Sequence, residues 1–312
     1  MVNQAPHASL VTITAPDGLP LAAESHAGER RSVLLAHGFG QTRQSWAGTQ
    51  CRLARAGHHN LSWDMRGHGR SGRNPADTPY RPEQFVDDVL CVARTLPAKP
   101  VLVGASMGGL TGLMAQSFAA PFSALVLVDV TPRWETAGVE RIVSFMTAHP
   151  DGFDDFEHAA DAISAYLPHR RERKRASQLE HLMRRDDDGR LRWHWDPRLI
   201  EEFVLGSHAL QDRVSEAARG IDVPVLLVSG GRSDIVSERT IAHFQSLLPH
   251  AQHVRLPDAT HMVAGDDNDA FSDALLRFLG AHYPHPADTR AAPLPTDIST
   301  GTDGAAVSGA SA

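Results

Sequence analysis

A serine fenced by glycines, a histidine near the far end of the chain and carboxylates between them are the residues whose types and spacing could do chemistry. Ser106 stands in "VGASMGG", where Gly104, Ser106 and Gly108 spell G-x-S-x-G. A serine hydroxyl is a poor nucleophile near neutral pH. It needs a base to take its proton, a carboxylate to orient that base, and donors for the oxyanion that forms. His261, in "LPDATHM", follows the last strand-like run and is the expected base. Asp234, in "GGRSD", is the expected carboxylate, and Asp129, which ends "LVLVDV", is its rival at another strand edge. Asp258 lies too near His261 along the chain to reach the far ring nitrogen. His37-Gly38-Phe39-Gly40 offers the backbone amide of Phe39 to an oxyanion, and Met107, directly after the serine, offers a second amide. The order Ser, Asp, His along the chain is one in which acyl-transfer triads occur.

These residues need elements that bring them to one edge. Val101, Leu102 and Val103 form a short apolar run that reads as a strand, and Leu110, Leu113 and Met114 recur at helical spacing. Ser106 therefore falls on a strand–turn–helix corner. Strand-like runs "LVTITAPDG", "LPLAAESHAG", "SVLLAHG", "HNLSWD", "PVLVGAS", "SALVLVDV", "PVLLVSGG" and "AQHVRLPD" alternate with helix-like segments near 42–56, 82–95, 107–119, 237–248 and 267–281. Asp17-Gly18 marks a hairpin between the first two. The later runs are apolar almost throughout, as parallel strands covered on both faces should be. The expected fold is α/β, a mainly parallel eight-stranded sheet with helices on both faces. From residue 133 to 216 the alternation stops, and charge runs appear in "HRRERKR" (169–175) and "RRDDDGR" (184–190). An all-helical cap is expected there, dividing the core into residues 10–132 and 217–282. Residues 283–312, rich in Pro, Ala, Ser, Thr and Gly, read as a disordered tail.

Composition narrows the functions further. The 312 residues carry a formal net charge of -7, so no positive field draws nucleic acid or anionic membranes. No run of eighteen apolar residues occurs, and the first 18 residues lack the basic and apolar regions of a secretory leader. A cytoplasmic enzyme with a small-molecule substrate is expected, with neither a nucleic-acid nor a membrane partner. Cys51 and Cys91 fall in helix-like segments and read as buried thiols. Eighteen histidines invite a metal reading, yet no H-E-x-x-H or Cys-x-x-Cys spacing supports one. His58, His59, His250 and His253 read as solvated surface residues, and no metal or other cofactor is expected. "RGHGRSG" is formally G-x-G-x-x-G, but Asn74-Pro75 and Pro79 break the chain where a dinucleotide fingerprint should open a helix.

With "HGFG", "DMRGHGRSG", "GASMGG", "GGRSD" and "THM" in this order, residues 10–282 resemble the α/β-hydrolases that carry a helical cap. Esterases, non-haem haloperoxidase-like proteins, epoxide hydrolases and meta-cleavage C–C hydrolases share this layout. The resemblance implies that Asp64 to Gly72 shapes a loop beside the active site without being catalytic. Serine at 106, where epoxide hydrolases and haloalkane dehalogenases use aspartate, implies acyl transfer. Ala105 stands where C–C hydrolases commonly carry Asn. Hydrolysis of a carboxylic ester is the implied activity, with perhydrolysis as a side activity. Meta-cleavage C–C hydrolysis is the alternative, and a ligand-binding receptor or scaffold is the non-enzymatic one. Trp46, Trp134, Trp193 and Trp195 are candidates for the pocket wall, each with core packing as the competing role.

Overall fold

The computed structural model describes residues 8–166, 175–200, 207–266 and 268–285. The chain opens with β1 (Ala8–Thr14), β2 (Pro20–His26), β3 (Arg30–Ala36), α1 (Ala47–Arg55), β4 (His58–Trp63) and α2 (Pro82–Arg94). β5 (Val101–Ala105), α3 (Met107–Ala119) and β6 (Ala124–Val128) follow. An insertion then carries α4 (Thr136–Thr147), α5 (Phe156–Tyr166), β7 (Met183–Arg185), β8 (Leu191–Trp193) and α6 (Ser207–Arg219). The chain returns through β9 (Val225–Gly230), α7 (Glu238–Leu247), β10 (Gln252–Leu256), α8 (Val263–Asp266) and α9 (Asn268–His282).

Eight strands form one sheet in the order β1-β2-β4-β3-β5-β6-β9-β10. β1 pairs with β2, and β2 with β4, antiparallel, while every pairing from β4 to β10 is parallel. The hairpin expected at Asp17-Gly18 is present, with Gly18 at φ +88°. The central strands are apolar in both registers because both sheet faces are covered. Leu34, Leu102, Leu125 and Leu127 face a core completed by α2, α3, α6 and α7. Val33, Leu35, Val103, Val126 and Val128 face a second core containing Trp46, Leu53 of α1, and Phe271, Leu275 and Phe278 of α9. Burial of two faces, at about 1.5–3 kcal/mol per large side chain, stabilises the central strands, and their parallel pairing puts their C-terminal ends at one edge.

Several expectations change. The insertion is not all-helical. β7 and β8 pair antiparallel through "RRDDDGR", with Gly189 at φ +79° in the turn, and bury Met183 and Leu191 against Phe153, Ala160 and Ile163 of the insertion's own core. Alternation across three-residue strands is too short a signal to separate from helix periodicity. Of "HRRERKR", residues 169–174 lie outside the described residues, as do 286–312 of the expected tail. Cys51 is exposed and Cys91 half-buried, because each faces outward from an amphipathic helix, so neither is the buried thiol expected. His58 is buried and its Nδ1–H donates to the Arg31 carbonyl at 3.0 Å, so it is not a solvated residue. His59 and His253 likewise find hydroxyl partners in Ser25 and Ser229. His250 is exposed, as expected. Among the described residues no helix is long and apolar enough to cross a membrane.

Candidate active site

The elbow is built by backbone geometry before any side chain matters. Ser106 sits between β5 and α3 at φ 45°, ψ -116°, a left-handed conformation that costs a non-glycine residue about 1–3 kcal/mol. Its N–H donates to the Val128 carbonyl of β6 at 3.1 Å, and its carbonyl accepts from Gly109 and Leu110 as the helix begins. The flanking glycines are there for close approach. A Cβ on Gly104 would lie 2.6 Å from the Gly109 backbone, and one on Gly108 would lie 2.5 Å from the Ala36 carbonyl. Met107 is the first residue of α3, where an amide has no acceptor within the helix and the helix dipole favours negative charge.

The loop after β3 meets this corner directly. A Cβ on Gly38 would lie 3.2 Å from the Ser106 Cβ, so "HGFG" runs past the serine side chain. Gln41 bridges this loop to the histidine loop: its Oε1 accepts from the Gly38 amide at 3.0 Å, and its Nε2–H donates to the Met262 sulfur at 3.3 Å. Gln41 was not picked out by any motif. Only the folded neighbourhood shows its role.

His261 follows β10 and donates from Nδ1 to Asp129 Oδ2 at 2.7 Å. The Asp129 carboxylate is fully buried and accepts two further bonds, from the Gly230 amide at 2.8 Å and the Ser233 hydroxyl at 2.5 Å. Asp129 has φ 47°, which turns its side chain back over the sheet edge as β6 ends. The carboxylate expected at Asp234 is therefore found at Asp129, and Asp234 does something else. Its Oδ2 pairs with Arg141 of α4 at 2.5 Å, and its carbonyl lies where a Cβ on Gly138 would strike it at 2.2 Å. Asp234 thus faces the insertion, and the "GGRSD" loop reaches the Asp129–His261 pair through Ser233. Asp258 pairs with Arg232 at the surface, away from His261.

The "RGHGRSG" segment is a structural loop. Asp64, fully buried, accepts from the Arg43 amide at 2.7 Å, the Arg43 guanidinium at 2.5 Å and the Arg70 amide at 2.9 Å. Arg66 is held by both oxygens of Asp88, at 2.7 and 2.6 Å. So fixed, the loop delivers His68 to the "HGFG" loop, where its Nε2 accepts the Gly40 amide at 3.2 Å. Burial pushes the His68 imidazole well below its ordinary pKa, and it pushes His37 down as well. His194, from the insertion, is brought down to about 3, again by burial. Each is a neutral ring in the folded protein.

The four candidate tryptophans do not share a place. Trp195 packs on the Phe39 ring at 5.1 Å, beside the "HGFG" loop. Trp193 packs against Phe153 and Phe145 inside the insertion. Trp134 is buried in the main core. Trp46 lies in the other core against Phe271, on the α9 side of the sheet, and is no pocket wall. No group of three His, Cys, Asp or Glu among the described residues is arranged to hold a metal ion.

The sequence matches the family model of the alpha/beta hydrolase fold over residues 31–267. It is 29% identical over 301 residues to a 3-hydroxybutyrate-oligomer hydrolase of Cupriavidus necator, covering 90% of this chain and all of that protein. It is also 29% identical to the sn-1-specific diacylglycerol lipase ABHD11 of Mus musculus, covering 80% of each chain. Among solved structures, E-2-(acetamidomethylene)succinate hydrolase superposes with a TM-score of 0.76 at 23% identity, covering 88% of this chain and 99% of that one.

Proposed function

The chain belongs to the α/β-hydrolase fold family, and within it we propose a serine hydrolase that cleaves a carboxylic ester of a small to medium organic substrate through an acyl-enzyme. Ser106 attacks the ester carbonyl while His261 Nε2 takes its proton. Asp129 orients the imidazole, and the amides of Phe39 and Met107 hold the oxyanion. One observation carries this reading: the 2.7 Å bond from His261 Nδ1–H to Asp129, at the sheet edge where the strained Ser106 elbow also ends. With Nδ1 committed as a donor, Nε2 is left as the acceptor that a general base requires. Collapse of the tetrahedral adduct returns the proton from His261 to the departing alcohol. Water, deprotonated by the same nitrogen, then attacks the acyl carbonyl, and collapse of that adduct breaks the bond to Ser106 Oγ, returns the proton to it and releases the acid. The insertion serves as the cap over this site, and the protein works without a metal or organic cofactor.

The relatives' names support an ester substrate, since oligomers of a hydroxy acid and diacylglycerols are both esters. A panel of p-nitrophenyl esters graded by acyl length, run beside a meta-cleavage diketone and an epoxide, tests the proposal. Sustained ester turnover with fluorophosphonate labelling at Ser106 is expected. Turnover of the diketone alone would replace ester cleavage by C–C hydrolysis. A burst that stops after one equivalent would point to the receptor reading.

A further inference from the structure

Three consecutive peptide planes of the "HGFG" loop are each held by a different buried imidazole. His37 donates from Nδ1 to the Gly38 carbonyl at 2.8 Å, and its Nε2 accepts the Met65 amide at 2.9 Å. The Gly38 carbonyl and the Phe39 N–H belong to one planar peptide, so fixing the carbonyl fixes where that N–H points. His68 accepts the Gly40 amide at 3.2 Å and donates from Nδ1 to the Arg66 carbonyl at 3.1 Å, which fixes the Phe39–Gly40 peptide. The third plane, Gly40–Gln41, is held from elsewhere. His194 donates from Nε2 to the Gly40 carbonyl at 3.2 Å, while its Nδ1 accepts the Gly69 amide at 2.7 Å. His194 is only 5% exposed and follows β8 of the insertion. It reaches two core loops at once.

We propose that His194 is a positioning residue for the oxyanion loop, so that docking of the insertion completes the restraint that His37 begins on the Phe39 amide. This rests on the reading of Ser106 as an acyl-transfer nucleophile. Gly40 has φ +73°, and within the loop its peptide to Gln41 is tied at the N–H end, where the Gln41 amide donates to the Gly38 carbonyl at 3.1 Å. The carbonyl end of that plane is held from outside the loop, by His194. His68 and Trp195 flank the Phe39 ring at 5.6 and 5.1 Å and hold its side chain, but they leave the Gly40 carbonyl to His194. Oxyanion donors act through preorganisation, and a displacement of about 1 Å costs on the order of 10²-fold in rate. A neutral His194 with Nε2 protonated is the one tautomer that makes both of its bonds.

The two bonds can be separated by substitution. H194Q places an amide N–H near the former Nε2 and keeps the bond to Gly40. H194N places an amide oxygen near the former Nδ1 and keeps the bond to Gly69 instead, and H194F keeps the ring but neither bond. On an activated ester, H194N and H194F should lower kcat by roughly 10- to 100-fold with little change in KM, whereas H194Q stays within about threefold of wild type. Affinity for an arylboronic acid, whose tetrahedral adduct on Ser106 needs the same donors, should fall in parallel with kcat. A cap anchor without this role would change melting temperature and KM alike in all three variants. Equal kcat for H194N and H194Q, or unchanged boronate affinity in H194N, overturns the proposal. Should H194F melt below the assay temperature, H194N against H194Q still decides, since these differ by one methylene. Wild type that neither turns over esters nor labels at Ser106 removes the functional reading and this role with it. Wild-type turnover matched by every variant removes only the role of His194.

Discussion

Replacing Asp129 by Asn is the sharpest perturbation of the proposed triad. The carboxylate accepts three bonds, from the Gly230 amide, the Ser233 hydroxyl and His261 Nδ1–H. An amide of the same shape has one oxygen to offer. If that oxygen stays on Gly230, the amide N–H faces His261 and forces Nδ1 to become the acceptor. The ring proton then moves to Nε2, which can no longer take the proton of Ser106. Loss of tautomer control of this kind lowers kcat by roughly 10⁴, or about 5.4 kcal/mol in the barrier. Asp234→Asn gives the contrast. It removes an ion pair to Arg141, whose side chain is 62% exposed, and such pairs contribute about 1 kcal/mol or less. Its kcat should stay within about threefold of wild type, because nothing at the sheet edge changes partner. Steady-state hydrolysis of p-nitrophenyl acetate, with circular dichroism to verify folding, reads both variants. A collapse of kcat in Asp234→Asn beside near-normal activity in Asp129→Asn would refute the assignment of the acid.

Other outcomes follow from the same geometry. Ser106→Ala should lose roughly 10⁴–10⁶ in kcat and all fluorophosphonate labelling, and labelling mapped to another residue would displace Ser106 as nucleophile. Ser106→Gly, equally inactive, should raise stability by about 1 kcal/mol in chemical denaturation by relieving the φ of 45°, and an unchanged midpoint would argue against strain at the elbow. Gly108→Ala must push a methyl group to within 2.5 Å of the Ala36 carbonyl, so a loss of about 2 kcal/mol or more is expected, and a neutral result would contradict the tight elbow. His37, His68 and His194 have lowered folded pKa values, with His194 at about 3. The unfolded chain takes up their protons near pH 6.5, so their stabilisation is complete above that pH and drains away as pH falls below it. Each adds to the slope in that direction, by at most about 1.4 kcal/mol per pH unit. Asp88, raised to about 6 by burial, opposes them with a single proton. Urea midpoints should therefore drop from pH 7 to pH 5, and a flat profile would show that the three rings are not buried neutral.

Much of the fold was legible because it rests on local signals. The β5–α3 corner is written in a switch from β-branched residues to helical spacing around glycines that no side chain could replace. The near-continuous apolar strands announce a sheet covered on both faces, and Asp17-Gly18 announces its antiparallel opening. The insertion was legible as an interruption but not in its content. Met183 and Leu191 make a hairpin worth forming only because Phe153 and Ile163 lie beneath them, and that packing has no trace in a three-residue strand. The same limit hid His37, His68 and His194 as a set. They come from three distant segments, and all three meet at one loop only with the insertion docked on the core.

The choice between Asp129 and Asp234 shows why strand position alone cannot identify an acid. The sheet order β5-β6-β9-β10 sets both carboxylates on adjacent strand ends between the serine and the histidine. Each is preceded by an apolar strand, and each is followed by chain that leaves the sheet. What separates them is where each stands past its strand and which way it turns, Asp129 being the first residue after β6 and Asp234 the fourth after β9. Asp129 adopts φ 47° and turns inward, where the Gly230 amide and the Ser233 hydroxyl are waiting from the neighbouring loop. The "GGRSD" loop therefore serves the site through a backbone N–H and a hydroxyl, not through its own carboxylate. That leaves Asp234 free to face α4, where Arg141 pairs with it and the bare backbone of Gly138 lets the helix come close. One loop thus supports the orienting carboxylate with Ser233 and holds the insertion with Asp234. A change at Ser233 should accordingly act on the imidazole and on kcat, whereas a change at Asp234 should act on the insertion and on KM. Measuring Ser233→Ala beside Asp234→Asn separates the two, and a common effect on KM alone would show that Ser233 does not support the orienting carboxylate.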